Sequence, residues 1–388
     1  MNAPQQMGIE GDAETRMQEA LQTQRESYLK EGAVSAETRI DRIDRAIDVL
    51  VRYGEKVSDA LNSDFTCRPR EVNMLTDVVG SIGAMKHAKK HLRKWMKPEK
   101  RPTVFPLNLL GGRSRIEYQP KGVVGVVAPW NFPVSMVFHP MSGILAAGNR
   151  VMIKPSEFTP ATSEVIAEMI ADGFDPTEAT VFTGGPEAGQ AFSGLPFDHM
   201  IFTGATGIAR HIMAAASRNL VPVTLELGGK SPVIISRSAD IDKALQRVML
   251  GKTLNAGQIC LAPDYLMVPE EKLNDVIESA QKVVAEMYPK LLDNDQYTSV
   301  VNERHYQRLN GYIKEAEERG EKVIPINPGN EDFSNQQDSF KIPPTLVSEP
   351  AEDLAMMEEE MFGPVLPIRT YKNFDETIDY INAKPRPL

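Results

Sequence analysis

From Gly122 onward, short runs of β-branched and apolar residues alternate with stretches of helical character, for example over 161–171 and 208–216. Strands that alternate with helices predict βαβ units and a parallel sheet, because parallel neighbours must be joined by a crossover connection. The pattern therefore indicates an α/β fold. The predicted strands are Val123–Val127, Val151–Ile153, Ala179–Phe182, Met200–Phe202 and Val233–Ile235.

The first hundred residues are expected to be helical. Apolar residues recur at three- and four-residue spacing over 40–50, with Asp and Arg between them, which is typical of a helix face packed on a core. The strand–helix alternation restarts after Gly228-Gly229. We therefore expect two domains, residues 1–228 and residues 229–388, in line with the soft prior of about 150 residues per domain.

Composition and charge exclude several classes of function. The net charge of −10 argues against nucleic acid and anionic membranes as partners. The first twenty residues are polar and acidic and do not form a signal peptide. The two cysteines, Cys67 and Cys260, cannot build a disulfide framework and fit a reducing compartment. No metal-ligand spacing is present among the six histidines and two cysteines. We expect a cytoplasmic protein without a metal.

Cys260 and Glu226 are the two residues that indicate a specific reaction. A thiol that attacks and a carboxylate that activates water are the reagents of an acyl-thioester cycle. Cys260 closes the segment 255–260, and Glu226 begins Glu226-Leu227-Gly228-Gly229-Lys230. A lone cysteine is often just a small buried hydrophobe, so this pairing needs support from the rest of the chain.

Two loops that follow predicted strands carry polar residues, and ligands of parallel α/β sheets bind beyond the carboxyl ends of strands. In Pro129–Pro133, two prolines restrict the backbone around Asn131, whose amide would stabilise a developing oxyanion. A turn or capping role for this Asn is the alternative. In Lys154–Glu157, the two charged ends suit the hydroxyls of a ribose, and Glu157 would repel a 2′-phosphate. A surface ion pair is the alternative there.

Two further segments say less by themselves. Phe202–Ala209 runs from a strand into a helix, a turn that presents N–H groups to a phosphate, but it is not G-x-G-x-x-G. Glu360–Pro364 is compatible with a helix end followed by a turn.

Taken together, the motifs resemble those of the aldehyde dehydrogenase superfamily, in the order in which that family carries them. The closest likeness is to its shorter, class 3-like branch, in particular the coniferyl aldehyde dehydrogenases, of which Leu254–Tyr265 is typical. The motifs are Pro129–Pro133, Lys154–Glu157, Phe202–Gly204, Glu226–Lys230, Gly257–Cys260 and Glu360–Pro364.

The resemblance implies an aldehyde dehydrogenase-like fold of two Rossmann-like parallel-sheet domains, the first binding NAD(P) and the second carrying the thiol. It implies oxidation of an aldehyde, aromatic such as coniferyl aldehyde or medium-chain aliphatic, to the acid. Cys260 would form the thiohemiacetal and thioester, Asn131 with the N–H of Cys260 would hold the oxyanion, and Glu226 would activate water. Glu226 is expected to have a raised pKa, and the site is expected to favour the thiolate.

The resemblance also implies a cofactor site that binds NAD, with NADP as the other possible cofactor. Ala205 and Ala209 replace residues that are commonly Ser and Gly in the family, so we expect altered cofactor binding but not its loss. The implied positions are Lys154 and Glu157 at the adenosine ribose, Gly204 at the pyrophosphate, Glu360 at the nicotinamide ribose, Phe362 beside the nicotinamide ring, and Trp130 and Thr206 elsewhere in the same site.

Family members continue beyond the equivalent of Leu388, so the resemblance implies that the carboxyl-terminal part is missing, and that the complete chain forms a homodimer. Three other functions remain open. An acylating enzyme would pass the thioester to coenzyme A, although it would not need Glu226. A cysteine hydrolase would pair Cys260 with a histidine, although none lies near it. A truncated chain would be a non-catalytic fragment or subunit.

Overall fold

The computed structural model describes residues 13–336 and 339–388, which form two compact units. The first unit contains residues 13–57, 74–203 and 209–225. The second contains Ser58–Asn73, Gly204–Ile208 and the described residues of Glu226–Leu388.

Helices occupy most of the first hundred residues, as the apolar periodicity predicts. The α-helices are α1 Ala13–Glu31, α2 Ala36–Arg52, α3 Gly54–Asp64, α4 Arg70–Asn73, α5 Gly80–Trp95, α6 Ser135–Ala147, α7 Pro160–Gly173, α8 Pro186–Ser193, α9 Thr206–Ser217, α10 Ile241–Thr253, α11 Leu273–Met287, α12 Glu303–Glu318, α13 Ala355–Glu358 and α14 Phe374–Asn382. A π-helix spans Met74–Val79, and 3₁₀ turns span Leu254–Gly257, Glu270–Lys272 and Phe333–Asn335.

Strands begin after α5 and alternate with helices from Val123 onward. They are β1 Glu99–Arg101, β2 Ser114–Ile116, β3 Val123–Val127, β4 Arg150–Lys154, β5 Ala179–Val181, β6 His199–Thr203, β7 Val223–Glu226, β8 Pro232–Ile234, β9 Tyr265–Pro269, β10 Lys322–Pro325, β11 Thr345–Ser348 and β12 Val365–Tyr371.

The first sheet has the strand order β5-β4-β3-β6-β7, and β3 pairs in parallel with both β4 and β6. Its central strands are apolar runs without alternation, because helices cover both faces of a parallel sheet. Val123, Val124 and Val126 of β3 are at most 3% exposed, and β4 is buried throughout. The order reverses direction between β3 and β6, which is the point where such sheets bind ligands.

The second sheet has the order β10-β11-β12-β9-β8, parallel except for β10, which pairs antiparallel with β11. Leu266 and Val268 of β9 pack with Leu366 and Ile368 of β12, and all four are at most 1% exposed. Each unit thus has a five-stranded, mainly parallel sheet. The prediction of an α/β fold with two such sheets is confirmed.

A short antiparallel hairpin pairs Glu99–Arg101 with Ser114–Ile116. The sequence patterns do not predict this hairpin. Three-residue strands with exposed side chains lack the apolar alternation by which a strand is recognised.

Candidate active site

The structure places the predicted site residues in both units, and the geometry of each unit is considered by itself. The first unit holds Trp130, Asn131, Lys154 and Glu157, and the second holds Gly204, Thr206, Glu226, Cys260, Glu360 and Phe362.

The loop before Cys260 has an unusual backbone. Asn255, Ala256 and Gly257 all lie in the left-handed region, with φ of 51°, 52° and 71°. Asn and Gly tolerate this region, whereas Ala adopts it only at a cost. A Cβ on Gly257 would also lie 2.5 Å from the carbonyl oxygen of Gly363, so only glycine fits here. Strain of this kind is typical of a functional loop.

Gln258 fixes this loop from inside. Its side chain is fully buried, and its Nε2 donates to the carbonyl oxygens of Asn255, at 2.9 Å, and Ser299, at 3.1 Å. Its Oε1 accepts from the N–H of Val301 at 2.9 Å. The amide therefore uses both ends to hold the turn against the segment 299–301, which positions Cys260 two residues later.

The Cys260 thiol is half-buried, and burial raises its pKa. The negative charge of Glu226 raises the pKa further, and that of Glu360 adds to it, whereas the backbone N–H groups of Cys260 and Leu261 lower it. The site was expected to favour the thiolate, and of these groups only the two backbone N–H groups act in that direction. Burial and the two carboxylates outweigh them, so the pKa of the thiol is raised.

Glu226 is the last residue of β7, and its carbonyl oxygen accepts from the N–H of Gly204 at 3.0 Å. The side chain is half-buried, and burial raises the pKa of its carboxyl. The expectation of a raised pKa is confirmed. Because its charge acts on the thiol of Cys260, the carboxylate and the thiol are electrostatically coupled within one unit.

Glu360 is held against the glycines that follow Glu226. The carboxylate accepts from the N–H of Gly229, which lowers its pKa, but burial raises the pKa by more. A Cβ on Gly228 would overlap the same carboxylate. The glycine pair of Leu227-Gly228-Gly229-Lys230 therefore provides the close approach that Glu360 needs.

The segment that carries Phe362 is a sharp turn, with φ of 44° at Phe362. Arg308 of α12 points at this turn, and its guanidinium donates to the carbonyl oxygens of Glu360 and Phe362, each at 3.4 Å. Tyr312, one turn further along α12, donates its hydroxyl to Glu359 at 2.5 Å. Phe362 itself is half-buried.

In the first unit, Asn131 is 5% exposed and lies in the loop between β3 and α6. The carboxylate of Asp77, which is fully buried in the π-helix, accepts from the N–H groups of Val134 and Ser135 at 3.2 and 3.1 Å. Asp77 thereby binds the N-terminus of α6 and fixes the end of the loop that contains Trp130 and Asn131.

Lys154 is the last residue of β4 and is 2% exposed. Its ammonium donates to the carbonyl oxygen of Pro155 at 2.8 Å and lies 3.9 Å from the carboxylate of Glu157. Burial lowers the pKa of Lys154, and Glu157 opposes this. Glu157 is exposed, so its carboxylate is accessible to a ligand.

The other cofactor positions lie at the start of α9. Thr206 is its first residue and is exposed, and Gly204 is half-buried. Ala205 is exposed, whereas Ala209 is 2% exposed and packs in the interior. The first turn of α9 thus presents an accessible backbone.

Sequence reasoning missed the charged residues beneath the site: Lys230, Lys252 and Asp264. Lys252 is 1% exposed, and its ammonium donates to the carbonyl oxygen of Pro263 at 2.8 Å. Asp264 is 3% exposed and pairs with Lys230. A signal was present, since Lys230 ends the motif Glu226–Lys230, Asp264 lies within Leu254–Tyr265, and Lys252 precedes that segment by two residues.

The described residues contain no group of three or more His, Cys, Asp or Glu side chains that could hold a metal ion. Within 13–336 and 339–388, no helix is long and apolar enough to cross a membrane. A cleft of about 620 Å³ in the first unit is lined by residues such as Arg39, Trp95 and Tyr118, and none of the predicted site residues lines it.

Comparison with known proteins decides the family. Residues 5–388 match the model of the aldehyde dehydrogenase family. The chain belongs to this family. It is 55% identical to a "probable coniferyl aldehyde dehydrogenase" of Caulobacter vibrioides, over all of this chain and 80% of that one. The resemblance inferred from the six motifs is thus confirmed.

Solved structures give the same fold. The substrate-bound state of Staphylococcus aureus AldH superposes with a TM-score of 0.88 at 35% identity, covering 95% of this chain and 78% of that one. An aldehyde dehydrogenase of Mycobacterium tuberculosis complexed with NAD⁺ superposes with a TM-score of 0.83 at 26% identity, covering 94% and 75%. The chain is therefore an enzyme of the aldehyde dehydrogenase fold.

Proposed function

We propose that the chain oxidises an aldehyde to the carboxylic acid through a thioester on Cys260. The observation that carries this proposal is the coupling of Cys260 and Glu226. The carboxylate of Glu226 acts electrostatically on the thiol, and the N–H groups of Cys260 and Leu261 are directed at the sulfur. A nucleophile, a base and backbone donors are the groups that this chemistry needs.

In the proposed cycle, the Cys260 thiolate attacks the carbonyl carbon and forms a thiohemiacetal. Asn131 and the N–H of Cys260 bind its oxyanion. When bound, NAD⁺ would be the oxidant that accepts the hydride, and the thiohemiacetal on Cys260 would become a thioester. Glu226 then takes a proton from water, the resulting hydroxide attacks the thioester, and the acid leaves with the thiol regenerated. The raised pKa of Glu226 suits a base that works near neutral pH.

The residues present fit NAD. Glu157 is an exposed carboxylate directly beyond the carboxyl end of β4, where it can accept from ribose hydroxyls. The first turn of α9 leaves Thr206 and Gly207 exposed, as phosphate binding requires. We assign Lys154 and Glu157 to the adenosine ribose, and Gly204 and Thr206 to the pyrophosphate. Glu360 is assigned to the nicotinamide ribose and Phe362 to the nicotinamide ring. Trp130 is assigned to the same cofactor site without a specific group.

Glu157 also favours NAD over NADP, since its charge repels a 2′-phosphate. Glu157→Gln should raise kcat/KM for NADP and lower it for NAD. An equal loss of kcat/KM with both cofactors would show that Glu157 does not contact the ribose. Glu164→Gln, at an exposed carboxylate on α7, is the matched control and should change neither value.

For the substrate we propose a conjugated aromatic aldehyde such as coniferyl aldehyde. The support is the name and the 55% identity of the Caulobacter vibrioides relative. Medium-chain aliphatic aldehydes are the second class. Specificity constants for the two classes decide between them, and the acid should be quantified by chromatography, since conjugated aldehydes absorb near NADH.

We further propose the division of the chain into a cofactor-binding part, 1–228, and a thiol-carrying part, 229–388, and assembly of the complete protein as a homodimer. The free thiols of Cys67 and Cys260 fit a reducing, cytoplasmic location.

The deciding experiment is incubation with NAD⁺ and coniferyl aldehyde. The acid and NADH should form in equal amounts, and Cys260→Ser should abolish both. Glu226→Gln should form one equivalent of NADH and then stall as an acyl-enzyme visible by mass spectrometry. A product formed only with coenzyme A would indicate the acylating reaction instead. Activity only in a carboxyl-extended chain would indicate that 1–388 is a non-catalytic fragment.

A further inference from the structure

Asp264 follows Cys260 by four residues and is 3% exposed. One oxygen of its carboxylate forms an ion pair with the ammonium of Lys230, and the other accepts from the N–H of Met361 at 2.6 Å. Its own N–H donates to the carbonyl oxygen of Ser231 at 2.9 Å. Asp264 therefore joins three segments, those that contain Cys260, Lys230 and Met361.

Lys230 completes this junction. Besides Asp264, its ammonium donates to the carbonyl oxygens of Met356, at 2.7 Å, and Glu359, at 3.0 Å. An ammonium has three hydrogens, and these three acceptors use all of them. Lys230 therefore has no donor left for a substrate or cofactor, and its role is exerted through the protein.

The residue between these anchors is Glu360. Lys230 binds the carbonyl oxygen of Glu359, in the peptide group before Glu360. Asp264 binds the N–H of Met361, in the peptide group after it. Both peptide groups that flank Glu360 are thus bonded to one largely buried ion pair. Gly229, directly before Lys230, donates its N–H to the Glu360 carboxylate.

Stability alone is a weak reason for such a pair. Removing two charges from water costs about as much as their attraction returns, and apolar replacements are often neutral or stabilising. A pair of this kind has a use where a specific geometry is required, and the geometry it defines here is that of Glu360.

We propose that Asp264 and Lys230 are positioning residues that hold Glu360 where it binds the nicotinamide ribose. The inference rests on the proposed function, since it requires that Glu360 contacts the cofactor. The pair acts on cofactor binding, and neither residue contacts the aldehyde.

The first test is Asp264→Asn, which keeps the size of the side chain and removes its charge. We expect the KM for NAD⁺ and the Kd measured by calorimetry to rise about ten- to a hundredfold, as loss of a charge-assisted bond implies. The KM for the aldehyde and the cofactor-independent hydrolysis of p-nitrophenyl acetate by Cys260 should stay within about twofold of wild type. Asp275→Asn, at an exposed ion pair on α11, is the matched control and should leave all values unchanged.

The decisive test is a double-mutant cycle with Glu360→Gln. If the pair acts through Glu360, Asp264→Asn should weaken NAD⁺ binding less than twofold in the Glu360→Gln background. Independent losses that multiply would overturn the proposal. So would equal rises in the KM for NAD⁺ and for the aldehyde, which would indicate a general loss of structure.

A second variant, Lys230→Met with Asp264→Leu, guards against misfolding, because it removes both charges of this ion pair together. Its thermal midpoint should stay near that of wild type while the Kd for NAD⁺ stays raised. A wild-type Kd in this folded variant would overturn the inference. Failure of the proposed function appears differently, as a wild-type chain that neither binds NAD⁺ nor oxidises aldehyde, which would overturn both.

Discussion

A Cβ on Gly228 would overlap the carboxylate of Glu360, which approaches the chain at that point closely enough to exclude any side chain. The contact is between a backbone position and the far end of a flexible side chain, so an added methyl would displace the carboxylate and not the backbone. The consequence of a substitution should therefore appear in cofactor binding before it appears in stability.

Gly228→Ala should raise the KM for NAD⁺ about tenfold or more, because Glu360 loses its place. The free energy of unfolding in urea should change by less than about 1 kcal/mol. Gly311→Ala is the matched control: this glycine is exposed in α12, its Cβ would meet nothing within 4 Å, and the change should stabilise the helix by about 1 kcal/mol. An unchanged KM in Gly228→Ala would place Glu360 outside the cofactor site.

Gly257→Ala should be far more damaging. The residue has φ of 71°, and its Cβ would lie 2.5 and 2.8 Å from the carbonyl oxygens of Gly363 and Lys252, neither of which can rotate away. We expect the free energy of unfolding in urea to fall by about 3 kcal/mol or more, and we expect no measurable turnover.

Gly320→Ala measures the cost of placing a Cβ on a residue with positive φ where there is no steric contact. Gly320 has φ of 77°, but its Cβ would meet nothing within 4 Å. Gly320→Ala should lower the free energy of unfolding by only about 1 kcal/mol and leave turnover unchanged. Equal losses at both glycines would show that the carbonyl contacts of Gly257 do not matter.

The sequence was sufficient for features that depend on neighbours in the chain. Apolar runs predicted β3, β4 and β6, and motif order predicted the family. The ion pair of Lys230 and Asp264 was not predictable, because its partners are 34 residues apart (264 − 230) and nothing local specifies which buried charges meet. The direction of the Cys260 pKa was missed for a similar reason, since burial is a property of the assembled fold.

The thiol provides a test by pH. The pKa of Cys260 is raised first by burial and then by the charge of Glu226. Glu226→Gln removes that charge, so the pH midpoint of Cys260 alkylation by iodoacetamide should fall, although burial should keep it above the usual value for a cysteine.

The measurement belongs in a Cys67→Ser background, so that only one thiol reacts. Glu271→Gln removes an exposed carboxylate that pairs with Arg237 and should leave the midpoint in place. A midpoint that does not move in Glu226→Gln would mean that the two groups are not coupled and would weaken the proposed division of roles.

Lys252 predicts a pH dependence of stability. Burial lowers its pKa from 10.5 to about 8, and the charge of Asp264 only partly opposes this. At pH values between about 8 and 10.5, Lys252 holds a proton in the unfolded chain that it has released in the folded chain. The free energy of unfolding therefore rises as the pH rises through this range. This gain is lost as the pH falls through about 8. The full span corresponds to roughly 3 kcal/mol.

Lys252→Met removes this proton and the bond to Pro263. At pH 7 the two effects oppose each other, since a buried charge disappears together with a hydrogen bond. The free energy of unfolding in urea should be measured at several pH values from 7 to 10. The advantage of wild type over Lys252→Met should grow with pH above 8, and a constant difference across that range would show that Lys252 keeps an ordinary pKa in the folded chain.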